Sequence, residues 1–235
     1  MKIERLGCIA TALIVALMVT GHVKADLLID TWKTGKMTML QPPVAFGYGA
    51  ARETFGQTIT VPVSDPVLDS FAFTFVCLDS PEWNFSAYVM GWSGSMASGS
   101  VLWKSDPQVM SSTGAQKFAF NTGGLPLTAG GQYVLFLSVS EFSSPSDAPA
   151  YGRMPRWDLY PDPYDGGRIV FLDNGSNTSL WTTQTWSLLP SPYPVSADLG
   201  FQAAFSTQVV PVPGAALLGA IGLSFAGWRL RRRTA

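Results

Sequence analysis

Histidine is the scarcest chemical resource in this chain: its 235 residues contain one, His22. There are two cysteines, Cys8 and Cys77, and charged residues make up only 13%. No stretch carries a convincing amphipathic-helix period. Gly47-Tyr48-Gly49 is followed by neither the glycine nor the lysine that a phosphate loop needs. Each shortage removes a class of function. A Ser-His-Asp triad, a Cys-His pair and a His-ligated zinc site all require a histidine, and His22 lies in a segment that reads as a leader.

That leader occupies residues 1–25. Lys2 and Arg5 precede an almost wholly apolar run over residues 8–19, and Val23 and Ala25 supply small residues at the positions a signal peptidase reads. Cleavage after Ala25 leaves Asp26 first and removes the histidine. It also removes Cys8, so Cys77 stands alone and no internal disulfide can form. Cys77 continues the period-two row Phe71, Phe73, Phe75 and reads as a buried structural thiol, since thiolate chemistry needs an electropositive setting. Cys8 precedes the apolar core, which excludes a lipoprotein box.

The chain ends VVPVPGAALLGAIGLSFAGWRLRRRTA, residues 209–235. As a helix, the apolar run 215–228 is roughly 21 Å long, short of the about 30 Å of a bilayer core. Extension to full length would include Pro211 and Pro213, which suit a helix start and break an interior. Arg229, Arg231, Arg232 and Arg233 would stay cytoplasmic by the positive-inside rule, an orientation that agrees with an exported N-terminus.

This three-part tail resembles the PEP-CTERM class of sorting signals, in its Val-Pro-x-Pro variant. The matching residues are Val210, Pro211, Val212, Pro213, Gly214 and Ala215, then the Gly-punctuated run, then the arginines. The resemblance implies recognition by an exosortase, which cuts near the proline motif and releases or re-anchors the exported part. The sequence lacks the central Glu of the commonest motif. A membrane hold that is transient before processing, then a place at the cell surface or in the extracellular matrix, is the expected itinerary. A tail that is kept as a permanent anchor for a binding protein is the alternative.

Between the ends, residues 26–213 carry eight basic and fifteen acidic side chains, a formal charge of −7 against −1 for the whole chain. Such a segment does not suit nucleic acid, where phosphate neutralisation by Lys and Arg supplies much of the affinity. It is long enough for one domain with a real core, and residues 26–208 are assigned to it. Short apolar stretches alternate with turn signals. Ile59, Val61 and Val63 share one side of 57–63; Phe71, Phe73, Phe75 and Cys77 form another face; 85–92, 99–103 and 117–120 follow. Residues 133–139 are apolar on both faces, as a central strand can be, and 168–172 are similar and end at the turn Asp173-Asn174-Gly175. Leu199, Phe201, Ala203 and Phe205 alternate with Asp198, Gly200, Gln202 and Ala204.

Eight or so strands predict an all-β fold, a single two-sheet jelly-roll-like sandwich flanked by the N-terminal signal helix and a short C-terminal transmembrane helix. The stretches ETFGQTITVP (53–62), KFAFNTGGLPLTAGGQYVLFLS (117–138) and IVFLDNGS (169–176) resemble β-sandwich domains of PEP-CTERM proteins and, loosely, carbohydrate-binding modules.

The stretch 143–167 shows no clear regular structure and is long for a plain connection. It carries Tyr151, Trp157, Tyr160 and Tyr164, rings that either stack on sugars or staple the loop to the sandwich. Asp158, Asp162 and Asp165 lie there too, beside Gly166 and Gly167. Calcium accepts such oxygens, but the spacing does not match the calcium-loop motif, and solvated surface acids are the competing reading. No other cofactor or metal is indicated. Asp79 and Glu82 form a further close carboxylate pair, so a secreted carbohydrate-active hydrolase working with two acids is a second functional class. The first is a non-enzymatic surface or matrix protein that meets exopolysaccharide. Asn84, Asn174 and Asn177 head glycosylation-type triplets that read as chance, and Trp92, Trp103, Trp181 and Trp186 read as core or sheet-face aromatics.

Overall fold

The computed structural model describes residues 27–32, 44–48, 52–77, 82–111, 114–142, 150–154, 156–157, 164–188 and 198–207. The leader, its Ala25/Asp26 junction and the whole tail, from Val210 through Arg233, lie outside these residues, as do Tyr160, Asp158, Asp162 and Asp79. No helix among the described residues is long and apolar enough to cross a membrane.

The described residues begin with strands β1 (Leu27–Asp30), β2 (Val44–Tyr48), β3 (Thr54–Thr60), β4 (Val67–Cys77) and β5 (Trp83–Trp92). Next come β6 (Ala97–Lys104), β7 (Gln108–Met110), β8 (Gly114–Pro126), β9 (Gln132–Ser138), β10 (Ala150–Met154) and β11 (Arg156–Trp157). The last elements are β12 (Ile169–Leu172), the single-turn helix α1 (Leu180–Thr183), β13 (Ser187–Leu188), β14 (Asp198–Leu199) and β15 (Phe201–Ser206).

Two antiparallel sheets hold nearly all of them. The first runs β1-β15-β4-β10-β2, with β8 on the other edge of β4. The second runs β13-β12-β3-β9-β5-β6, with β7 also on β5. A two-stranded patch, β11-β14, stands apart. The fold is thus all-β with two main sheets, as the turn-rich spacing predicts, although the strands are more numerous than the apolar stretches suggest.

The core lies between the sheets. Phe71, Phe73, Phe201, Ala203 and Phe205 point in from the first sheet; Phe55, Ile59, Phe85, Val89, Leu135 and Leu137 meet them from the second. Aromatic edges dominate the contact: Phe85 meets Phe118 at 5.0 Å between centroids and Phe71 meets Trp103 at 5.5 Å, both near perpendicular. Each fully buried ring contributes about 1.5–3 kcal/mol, with edge-to-face geometry adding to it.

The central strands of the second sheet, β12, β3, β9 and β5, are buried on both faces, while the edge strands β6 and β13 are largely exposed. Along β9, Leu135 and Leu137 face the core while Val134 and Phe136 face outward. The outward set is roofed by Trp181 and Trp186, which are 4% and 2% exposed and pack on Tyr88, Phe136, Val170 and Leu172. Trp181 lies 4.9 Å from Tyr88 and 5.0 Å from Phe136. This roof explains why β9 and β12 read as apolar on both sides. Helix α1 is too short to be stable by propensity; burial of Trp181 holds it in place.

Three expectations change. Val63, expected to share one side with Ile59 and Val61, is 79% exposed while they are buried: β3 ends at Thr60, so the alternation no longer applies beyond it. Asp198, expected on the outer side of its alternation, is fully buried. Residues 143–167 contain β10, paired with β2 and β4, and β11, paired with β14.

Candidate functional site

The stretch expected to hold ligand is sewn into the sandwich where it is described. The Tyr164 hydroxyl donates to the Thr60 carbonyl at 3.2 Å and accepts from the Thr60 N–H at 3.1 Å. Its ring meets Phe201 at 5.7 Å. Burial raises the phenol above its ordinary pKa. Tyr164 therefore acts as the staple and not as an exposed stacking ring. Tyr151 lies on β10 and Trp157 on β11 by backbone; their side chains, like Tyr160 altogether, lie outside the described residues.

Asp198 completes this fastening. Its Oδ1 accepts from Gln57 Nε2 at 2.7 Å and its Oδ2 from the Tyr164 N–H at 3.0 Å. Gln57 turns its other end to the Leu199 N–H, 2.9 Å from its Oε1. Charge-assisted bonds to a buried carboxylate are among the stronger ones. The two glycines beside Asp165 have a packing role. A Cβ on Gly167 would collide with the Thr58 carbonyl, and one on Gly166 with the Tyr164 ring. Asp165 itself is exposed. No grouping of three metal-binding side chains occurs among the described residues.

A second buried polar cluster fixes the Asp173-Asn174-Gly175 turn. Trp181 Nε1 donates to Thr54 Oγ1 (3.1 Å), Thr54 Oγ1 donates to Asn174 Oδ1 (2.8 Å), and Asn174 Nδ2 donates to Ser140 Oγ (2.9 Å). Asn174 is 5% exposed and fully engaged, so its glycosylation-type triplet is not an accessible acceptor. Gly175 takes a positive φ of 52° that suits glycine. Its N–H and that of Asn174 donate to Glu53 Oε2 at 3.1 and 3.2 Å.

Burial raises the Glu53 pKa above its ordinary value more than the N–H groups of Gly175 and of Glu53 itself lower it, and the neighbouring Asp173 raises it further. An acid whose folded pKa is raised binds its proton more tightly when folded. Its ionisation therefore costs stability as pH climbs through the raised value, and that stability returns below the unfolded value. Urea midpoints should accordingly rise as pH falls through the raised value towards the ordinary value of 4.5, and Glu53→Gln should flatten that rise. An unchanged pH slope in the variant would show that Glu53 is not its source.

An open feature of the described residues lies elsewhere, on the outer face of the first sheet. Register places Ala72 opposite Gln202 of β15 and Ala119 of β8, and Thr74 opposite Lys117. Gly200 lies beside Thr74, whose N–H donates to its carbonyl at 3.4 Å. The sheet face is thus floored by small groups and forms a shallow trough of about 220 Å³, with Lys117 and Gln116 on one flank and Trp32 on the other.

Trp32 is 39% exposed, yet its backbone is held. Asp30 Oδ1 accepts the Trp32 N–H at 3.0 Å, an Asx-type turn. The buried Thr31 hydroxyl is shared between the carbonyls of Leu199 (2.7 Å) and Phe201 (3.1 Å) and accepts the Phe201 N–H at 2.9 Å. The polar rim is also chained: Lys117 Nζ donates to Gln202 Oε1, and Gln202 Nε2 donates to Asp30 Oδ2 at 2.7 Å.

Sequence reasoning placed Gly200, Gln202 and Ala204 on the outer side but did not single out Trp32. The signal was there in Asp30-Thr31-Trp32, an aromatic just after a turn-forming Asp at a strand end. The missing information was which strands lie beside it.

No protein-family model and no curated protein matches the chain. Among solved structures, the clostridial cysteine protease Cwp84 after propeptide cleavage is similar at 12% identity and a TM-score of 0.43, over 74% of this chain and 40% of that one. The cysteine protease and lectin-like domains of Cwp84, a surface layer associated protein of Clostridium difficile, give 11% identity and a TM-score of 0.39, over 66% and 32%. The chain spans less than half the length of either, and at these scores neither match bears on activity.

Proposed function

We propose that this is an exported, non-enzymatic cell-surface or matrix protein whose jelly-roll-like sandwich serves a structural or adhesive role towards exopolysaccharide. In this reading a signal peptidase removes residues 1–25, and residues 209–235 hold the precursor in the inner membrane until an exosortase cuts near Val210–Ala215. The observation that carries the non-enzymatic part is the placement of Asp198. This acid is fully buried, and both its oxygens are bonded within the fold, to Gln57 Nε2 and the Tyr164 N–H. A hydrolytic carboxylate must instead reach the glycosidic oxygen or a water beside it. Glu53 likewise turns one carboxylate oxygen to a turn of its own chain. The sorting part rests on the order of proline motif, apolar run and arginines in the tail.

The intact mass of the protein recovered from the outer surface or medium tests the itinerary. We expect a C-terminus near residues 210–215, and precursor accumulating in the membrane when Pro211 and Pro213 are both replaced by Ala. A product that retains Arg233, or processing unchanged in the double variant, would overturn it. Release of reducing ends from a polysaccharide would overturn the non-enzymatic assignment.

A further inference from the structure

We infer that the trough beside Trp32 is a saccharide subsite that takes one pyranose ring of a neutral polysaccharide strand lying across the first sheet. The inference rests on the non-enzymatic exported reading above and gives it a site and a ligand class.

Trp32 is the anchor. A pyranose presents an apolar face of C–H groups, and an indole offers a large, rigid surface to meet it at little entropic cost. The Asx-type turn at Asp30 and the buried Thr31 hydroxyl hold the Trp32 backbone in place before any ligand arrives. Preorganisation of this kind reduces what binding must spend on ordering.

The floor and rim fit the rest of a sugar. Ala72, Thr74 and Gly200 are small where an open sheet face usually carries long side chains, so a ring can sit low against the strands. From Lys117 on β8 to Trp32 beyond β1 the face crosses β4 and β15, roughly 14 Å at the usual strand spacing. Lys117 retains two ammonium hydrogens and Gln202 one amide hydrogen beyond the rim bonds described. These are donors for hydroxyl oxygens, held in place by the rim chain.

Size and charge narrow the ligand. A trough of about 220 Å³, open to solvent, is smaller than the roughly 300–1,000 Å³ clefts that enclose a drug-sized molecule. It suits one unit of a polymer that continues beyond both ends. At the rim the Lys117 ammonium offsets the Asp30 carboxylate, while the segment as a whole carries a formal −7, so the wider field opposes a polyanion and leaves a neutral chain unopposed.

Native-gel affinity electrophoresis of the full chain in a polyoxyethylene detergent tests this, with a neutral glucan, a neutral galactomannan or alginate cast into the gel. Retardation is expected with at least one neutral polymer. Trp32→Ala should raise the apparent Kd at least about tenfold, Trp32→Tyr should restore most of the affinity, and Gln202→Ala should weaken it a few-fold. Unchanged urea midpoints for Trp32→Ala would show that the fold survives. Equal retardation of Trp32→Ala, retardation by alginate alone, or none in any gel would overturn the subsite. Reducing ends released from the retained polymer would instead sink the non-enzymatic reading, while loss of retention in Trp32→Ala would keep the subsite.

Discussion

Replacing Asp198 with alanine should lower the stability of the folded chain by about 3 kcal/mol or more, read as a fall in the urea midpoint. The carboxylate is fully buried and accepts from Gln57 Nε2 and the Tyr164 N–H. Hydrogen bonds to a charged group contribute about 1.5–3 kcal/mol each, and donors left buried without an acceptor add their desolvation penalty. Asp198→Asn keeps the size and one acceptor oxygen but turns an amide donor towards one of two donors, so it should cost less than Ala and more than a surface change. Tyr164→Phe removes the hydroxyl with its bonds to Thr60 and should cost about 1 kcal/mol. A loss below 1 kcal/mol for Asp198→Ala would mean that the carboxylate is not holding this corner, and a catalytic role for it would reopen.

Trp181→Ala should be equally severe, about 3–5 kcal/mol by the usual cost of deleting a buried indole. Two effects combine. The cavity would open over Tyr88 and Phe136, whose rings stack 5.0 Å apart beneath it. Thr54 Oγ1 would also lose the indole N–H at 3.1 Å that completes its bonding. Trp181→Phe separates the two, keeping most of the ring and losing the bond. The Ala variant should in addition bind an apolar fluorescent dye, since the outer face of the second sheet loses its roof. A midpoint close to the parent's would show that Trp186 alone covers that face.

The strands could be read in advance because alternation is local. Phe201, Ala203 and Phe205 declared their inward face by spacing alone, and all three are buried. The doubly apolar β9 declared a central position in the same way and lies between β3 and β5. Val63 misled because period two says nothing of where a strand stops. The roof over the second sheet was half legible. Trp181 and Trp186 read as core or sheet-face aromatics, but that they cover β9 and β12 depends on contacts from distant parts of the chain.

The site was less legible still. Asp198 belongs by period to the outer set with Gly200 and Gln202, and its burial follows from Gln57, 141 positions earlier, reaching across to it. Tyr164 reads first as a ring that fastens its loop and second as one that stacks on a sugar, and its bonds to the Thr60 backbone fit the fastening role. Trp32 belongs to no motif. Its setting exists only once Ala72 is registered against Gln202.

The pairing of β1 with β15 has a mechanical consequence. Leu27 lies opposite Phe205 and Asp30 opposite Gln202, so the chain enters and leaves this sheet side by side at one end. Tension applied between the two ends loads the Leu27–Phe205 rung first and opens the ladder one rung at a time, like a zipper, not all rungs together in shear. A four-residue strand offers little resistance to peeling. After the Asp30 rung only the Thr31 bonds to Leu199 and Phe201 remain, and Trp32 follows directly behind them. A pull strong enough to strip β1 and part the Thr31 bonds would carry the indole away from its trough, so the polymer grip proposed for it would slacken under load and re-form when the load is released.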